Sequence, residues 1–104
     1  MTDDIYAYLD QSFEWDQMKA ARNAIKHGVR FPEAATVFFD ASAIFERDSD
    51  HSIEEERYIV VGCSIRRKVI LVVHVLRGDK IRILSARIAT PRERRHYDES
   101  RGGI

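Results

Sequence analysis

Three consecutive segments decide the fold class: Tyr58-Ile-Val-Val-Gly-Cys-Ser-Ile65, Val69-Ile-Leu-Val-Val-His-Val-Leu76 and Lys80-Ile-Arg-Ile-Leu-Ser-Ala-Arg-Ile88. Each is rich in β-branched residues, which fit a pleated, half-buried surface, so each predicts a strand. The connections Arg66-Arg67-Lys68 and Gly78-Asp79 are hairpin length, which makes the three strands an antiparallel meander. A two-residue turn at Gly78-Asp79 pairs Val75 with Arg82, His74 with Ile83 and Val73 with Leu84. On that register Val73, Val75, Leu84, Ala86 and Ile88 form a core face for helices to cover. The opposite face carries Ile70, Val72, His74, Ile83, Ser85 and Arg87.

Upstream, Asp16 reads as the N-cap of a helix over Gln17–Lys26, with Met18, Ala21 and Ile25 on its apolar face and Gly28 as its stop. A second short helix starts at Pro32 and runs through Phe38, with Phe31, Ala34, Ala35, Val37 and Phe38 as its apolar complement. Ala43–Phe45 is a candidate short strand, and the polar, mostly acidic Glu46–Glu56 reads as an exposed loop. Downstream, Thr90-Pro91-Arg92-Glu93 is a capping box opening a basic helix to about Glu99, with Gly102 and Gly103 ending the ordered chain. The expected architecture is one α+β domain over residues 1–104: two N-terminal helices, an antiparallel sheet of three to four strands, and a C-terminal helix.

The chain has 104 residues, 44% of them apolar and 33% charged, with four His and one Cys. This composition describes one soluble domain. The longest apolar run, Val69–Val73, is too short to cross a bilayer, so no membrane partner is expected. The acidic Met1-Thr2-Asp3-Asp4 start does not read as a signal peptide, which points to the cytoplasm. A lone Cys63 has no partner for an internal disulfide and is expected as a small buried hydrophobe, and zinc fingers and redox pairs are excluded. The 17 basic and 17 acidic side chains cancel overall but not locally. Residues 1–56 hold 5 basic and 13 acidic groups and residues 57–104 hold 12 and 4, so the halves carry −8 and +8. Either they neutralise each other within the fold, or the basic half is a footprint for a polyanion.

His27, His51, His74 and His96 are far apart and match no metal-binding spacing, and the glycines form neither a dinucleotide nor a phosphate-binding loop. No cofactor is expected. A serine–histidine–carboxylate set of Ser85 and His74 lacks a nucleophile elbow. Arginine is the more suggestive residue, because guanidinium forks match phosphate geometry. Arg57, Arg77 and Arg82 fall near one end of the sheet, Arg87 on a strand, and Arg92, Arg94 and Arg95 on the last helix. Metal-free RNA cleavage fits this inventory, since the 2′-hydroxyl attacks the adjacent phosphate and the protein supplies a base, an acid and cations. Lys19, Asn23, Lys26 and His27 make a polar stripe on the first helix, which is either a solvated face or a substrate contact. Glu55 and Glu56 are either a solvated strand entrance or the source of a base. His74 is either a core histidine or a proton carrier.

Phe13-Glu14-Trp15-Asp16, Lys19, Asn23, Lys26-His27-Gly28-Val29, Phe31, Ala34-Ala35 and Val37-Phe38 resemble the opening of the BrnT toxin family. Asp50-His51-Ser52, Glu55-Glu56-Arg57, Gly62, Arg77-Gly78-Asp79, Ile81-Arg82-Ile83-Leu84-Ser85-Ala86-Arg87, Ala89-Thr90, Glu93-Arg94 and Tyr97 continue in the family order. The resemblance implies a RelE-like endoribonuclease toxin of a type II toxin–antitoxin module, arresting translation and growth. It also implies a BrnA-type antitoxin with a ribbon-helix-helix region, through which alone the toxin would meet operator DNA. Carried onto this chain, it marks Arg82, Arg87, His27, Glu56, His74 and Ser85 as catalytic candidates, and Lys19, Asn23, Lys26, Arg57 and Arg77 as substrate-binding candidates. Two departures stand out: Gln17 where many relatives have Pro, and Val75-Leu76 where many have Thr-Glu. Without that glutamate the base falls to His27, His74 or Glu56. The competing class is a non-enzymatic nucleic-acid-binding or co-repressor module.

Overall fold

Two strands precede the first helix, where the sequence reading places helices first. The computed structural model describes residues 3–8, 10–51 and 55–102. In chain order the elements are β1 (Asp3–Tyr8), β2 (Gln11–Asp16), α1 (Gln17–His27), α2 (Phe31–Thr36), β3 (Ile44–Arg47), β4 (Tyr58–Cys63), β5 (Val69–Arg77), β6 (Lys80–Ile88) and α3 (Pro91–Ser100), with 3-10 turns at Val37–Phe39 and Ser49–His51. Residues 52–54 of the expected loop, and Gly103, lie outside the described residues.

The strands form one six-stranded sheet in the order β1-β2-β6-β5-β4-β3. Its β4-β5-β6 centre is the expected meander, but β2 joins β6 in parallel, so the sheet is mixed. The expected RelE-like layout of two leading helices and an antiparallel sheet of three to four strands is corrected by the β1–β2 hairpin and this parallel pair. The signal for β2 is present in Ser12-Phe-Glu-Trp-Asp16, which alternates polar with aromatic. Phe13 and Trp15 are 0% and 5% exposed, as a half-buried strand requires.

The β5–β6 register starts as expected, with Val75 opposite Arg82 and His74 opposite Ile83. It then shifts, so that Val73 faces Ser85, Val72 faces Ala86 and Leu84 is the extra residue of a bulge. Because side chains alternate with period two, one inserted residue reassigns every position after it. The face packed under the helices therefore carries Val60, Ile70, Val72, His74, Ile83 and Ala86, with Phe13 and Trp15 from β2. Val29, Phe31, Ala34, Ala35 and Val37 close it from α2 and its flanks. The expected core face is corrected accordingly: Ala86 belongs to it, but Val73 and Leu84 are only half-buried and Ile88 is exposed. Val75 is buried on the opposite side.

Gly62 lets the Val37–Phe39 turn sit directly on β4, since a Cβ there would come within 2.9 Å of Val37 Cγ1 and 3.0 Å of the Ala43 Cβ. α1 begins and ends as its sequence dictates. Asp16 Oδ1 accepts from the N–H groups of Met18 and Lys19, and Gly28 closes the helix at φ +70°. Its orientation is the reverse of the expected one: Met18, Ala21 and Ile25 point outward, and the residue it buries is Asn23.

Asn23 explains why. β2 pairs with β6 only over Ser12–Glu14, and beyond that point the backbone edge of β6 runs beside α1 instead. The Asn23 amide takes the place of a strand there, donating to Ala86 O at 2.8 Å and accepting from Ala86 N–H at 3.0 Å. It also donates to Val29 O at 2.9 Å. A buried sheet edge must be paired, and one carboxamide supplies both the donor and the acceptor.

α3 crosses the other side of the sheet. Its capping box is complete, with Thr90 Oγ1 accepting from Glu93 N–H and Glu93 Oε1 accepting from Thr90 N–H. Tyr97 is buried and its hydroxyl donates to Asp40, which also accepts from the N–H groups of Cys63 and Ser42. Burial pushes the Asp40 carboxyl up, but these donors outweigh it and hold it below its ordinary value. Burial and the Asp40 bond push the Tyr97 phenol up to about 12. Cys63 is half-buried, less enclosed than expected. Among the described residues no helix is long and apolar enough to cross a membrane.

Candidate active site

The second face of the sheet is closed at one end by α3 and open at the other. The open end holds a pocket of about 250 Å³ lined by Lys19, Asp48, Arg57, Val73, Leu84 and Ser85. Each wall follows from a local feature. Lys19 is held by the Asp16 cap at one end of α1 and the Asn23 anchor in the middle. Arg57 stands immediately before β4, and Asp48 is tied across from it by a 2.8 Å bond from its N–H to Arg57 O, prolonging the β3–β4 ladder. Leu84 and Ser85 are the bulge, which turns Ser85 onto the same side as Val73.

Three of the expected site residues, Lys19, Arg57 and Ser85, thus converge from α1, the entry to β4, and β6. Two cations, a hydroxyl and a carboxylate around one cavity suit a phosphodiester. Arg82 and Arg87 share this face, and each is joined to a carboxylate. Arg82 Nη1 meets Glu14 Oε2 at 2.9 Å in a largely buried pair, its partner lying directly opposite on β2. Arg87 makes a two-pronged contact with Glu93, at 2.8 and 2.9 Å. That contact raises the Arg87 pKa and lowers that of Glu93. It also clips the start of α3 to β6.

The remaining candidates lie apart from the cavity. Arg77 pairs with Glu55 at 3.2 Å. Glu56, next to Arg57, accepts from the Tyr58 hydroxyl at 2.8 Å and meets Arg47 at 3.5 Å. Lys26 and His27 stand near the far end of α1, about 10 Å or more along the axis from Lys19. Asn23 is buried with its amide committed to backbone. His74 is 2% exposed on the helix-covered face, its ring edge-on to Phe38 at 4.7 Å between centroids. Burial lowers its pKa to about 4, so at neutral pH it is an uncharged core residue.

Asp48 was missed by sequence reading. Glu46–Glu56 shows no periodicity, and only the pairing of Arg47 with Tyr58 reveals that Asp48 must stand beside Arg57. Among the described residues no three His, Cys, Asp or Glu side chains converge as a metal would need.

Residues 15–93 match the family model described as the ribonuclease toxin, BrnT, of type II toxin–antitoxin systems. The chain belongs to the BrnT family. The match includes every wall of the pocket. The crystal structure of the Brucella abortus ribonuclease toxin BrnT is similar in fold to this BrnT-family chain, with a TM-score of 0.57 and 23% identity over 73% of this chain and 92% of that one. No curated protein sequence matches it significantly. As a BrnT family member the chain is a ribonuclease toxin whose module supplies a protein antitoxin.

Proposed function

We propose that this chain cleaves RNA without a metal ion, in the cytoplasm, at the pocket between Lys19, Arg57 and Ser85. The observation that carries the reading is the convergence of those three side chains with Asp48 on the open end of one sheet face. A phosphodiester between Lys19 and Arg57 has both non-bridging oxygens facing cations, where negative charge grows in the transition state. Ser85 orients the ribose by hydrogen bonding. The 2′-hydroxyl gives its proton to the Asp48 carboxylate as its oxygen bonds to phosphorus. The bond from phosphorus to the 5′-oxygen breaks, Lys19 donates its own ammonium proton to that oxygen, and exchange with water then deprotonates Asp48 and reprotonates Lys19. The products are a cyclic phosphate and a 5′-hydroxyl. Arg82 and Arg87 border the RNA path, where the polyanion competes with Glu14 and Glu93 for them. Cleavage of this kind arrests translation and growth, and a BrnA-type antitoxin with a ribbon-helix-helix region neutralises it and carries the pair to operator DNA.

The test is RNA cleavage by purified protein in EDTA. Lys19→Ala and Arg57→Ala are expected to lower the rate about 100-fold each, the usual loss when one transition-state donor is removed, with the fold retained by circular dichroism. Salt-sensitive RNA binding without any cleavage by the wild type would instead establish the non-enzymatic module.

A further inference from the structure

α1 presents Met18, Ala21, Arg22 and Ile25 outward, the i, i+3, i+4, i+7 positions of a single stripe. Met18 is 51% and Ile25 87% exposed. The stripe lies opposite Asn23, which fixes the helix to β6 and leaves it no freedom to roll these side chains inward. A nearly naked isoleucine and a half-exposed methionine two turns apart on one helix face offer a partner helix two apolar anchors. The helix is also cationic: Lys19, Arg22, Lys26 and His27 are its titratable residues, and it contains no carboxylate. Arg22 lies within the stripe, while Lys19 and Lys26 flank it on the side of the pocket.

These features discriminate between occupants. A nucleic-acid backbone satisfies the cations but leaves Met18 and Ile25 uncovered. A second copy of this chain covers the apolar side chains but brings like charges together. An amphipathic helix with apolar anchors flanked by Asp or Glu satisfies both demands, in the helix-to-helix mode that reads anchors at this spacing.

We propose that the outer face of α1 is the docking surface for an acidic amphipathic helix of the antitoxin. The inference rests on membership of the toxin–antitoxin family and on the placement of the pocket. Lys19 belongs to both surfaces, so a partner carboxylate that takes it withdraws a cation from the site while the body of the helix shadows the entrance.

The test titrates the antitoxin co-expressed from the same module against full-length toxin by calorimetry. Met18→Asp combined with Ile25→Asp is expected to weaken binding at least 100-fold, and Ile25→Gln, which keeps helix propensity and removes only the apolar contact, about tenfold. Ile65→Asp, at a similarly exposed residue in the β4–β5 turn, serves as the control and is expected to bind as the wild type does. Thermal unfolding verifies that each variant is folded. Affinity of the double variant within threefold of the wild type would overturn the proposal. So would a wild-type dimer, seen by light scattering, that the double variant dissociates without loss of antitoxin affinity, because a second copy would then own the face. Loss of RNA affinity alone would assign the face to nucleic acid and overturn it equally. Cleavage by each variant without antitoxin is measured separately, so an inactive wild type would defeat the nuclease reading while leaving the antitoxin titration to decide this one.

Discussion

The two faces of the sheet share apolar residues along β5 and do opposite jobs. Under α2 the face is shut: Val60, Ile70, Val72, Ile83 and Ala86 are each at most 1% exposed and packed against aromatic and small side chains. The other face also has valine and leucine along β5, yet α3 covers only part of it. The uncovered end collects Lys19, Arg57 and Ser85. The apolar content of β5 alone therefore does not tell the faces apart. What separates them is where the covering helices land, and that is decided by three polar anchors: Asn23 for α1, and Glu93 and Tyr97 for α3.

Asn23 is the place to break this arrangement most severely. Asn23→Ala removes three hydrogen bonds of about 1 kcal/mol each and leaves a buried Ala86 N–H without its acceptor, so a loss of about 3 kcal/mol or more is expected in urea unfolding. Asn23→Asp keeps the acceptor but sets a buried charge against the carbonyls of Val29 and Ala86, and is expected to cost at least as much at neutral pH. If Asn23 served only to touch substrate, both variants would unfold like the wild type.

His74 probes the closed face. In the unfolded chain its imidazole takes a proton below its ordinary 6.5, whereas in the folded chain burial delays this to about 4. Between those values the unfolded state binds more protons, so stability is complete above 6.5 and falls by about 3 kcal/mol as the pH drops to 4. His74→Phe, surrounded by Phe38, Phe45 and Tyr58, is expected to flatten the stability profile across that window. An unchanged slope from pH 6.5 to 4 would show that the ring is open to solvent.

The smallest effect is expected at the α3 clip. Glu93→Gln removes the charge that holds Arg87 while keeping an acceptor for the Thr90 N–H. With Arg87 more than a third exposed, solvent screening limits the loss to about 1 kcal/mol. The wild-type contribution of Glu93, whose pKa is lowered by Arg87, is present at neutral pH and disappears as acid protonates the carboxylate. Thermal unfolding of the variant should therefore converge on that of the wild type at low pH.

Much of this was legible in the residues. Asp16, Gly28, Thr90 and Glu93 mark helix ends by chemistry that acts within a few positions, and the Gly78-Asp79 turn fixes the first pairs of the β5–β6 ladder. The bulge at Leu84 has no such local signature, since it changes a count without using a glycine, and every facing assignment beyond it inherits the error. The amphipathic pattern of α1 shows that its two sides differ but not which is inside. Its apolar side is outside because a single carboxamide binds the other to the sheet. Lys19, Arg57 and Ser85 were identifiable by type and by resemblance, but Asp48 enters only through the pairing of β3 with β4.

The parallel contact between β2 and β6 joins residues 12–14 to residues 80–82, which sets the order in which a growing chain acquires its parts. The hairpin, α1 and α2 leave the ribosome with no strand to receive β2 on its inner edge, and the wall formed by Leu84 and Ser85 is made last of all the pocket's sides. The pocket between Lys19, Arg57 and Ser85 therefore has all its walls only once about four-fifths of the 104-residue chain exists, because Leu84 and Ser85 come last in the sequence.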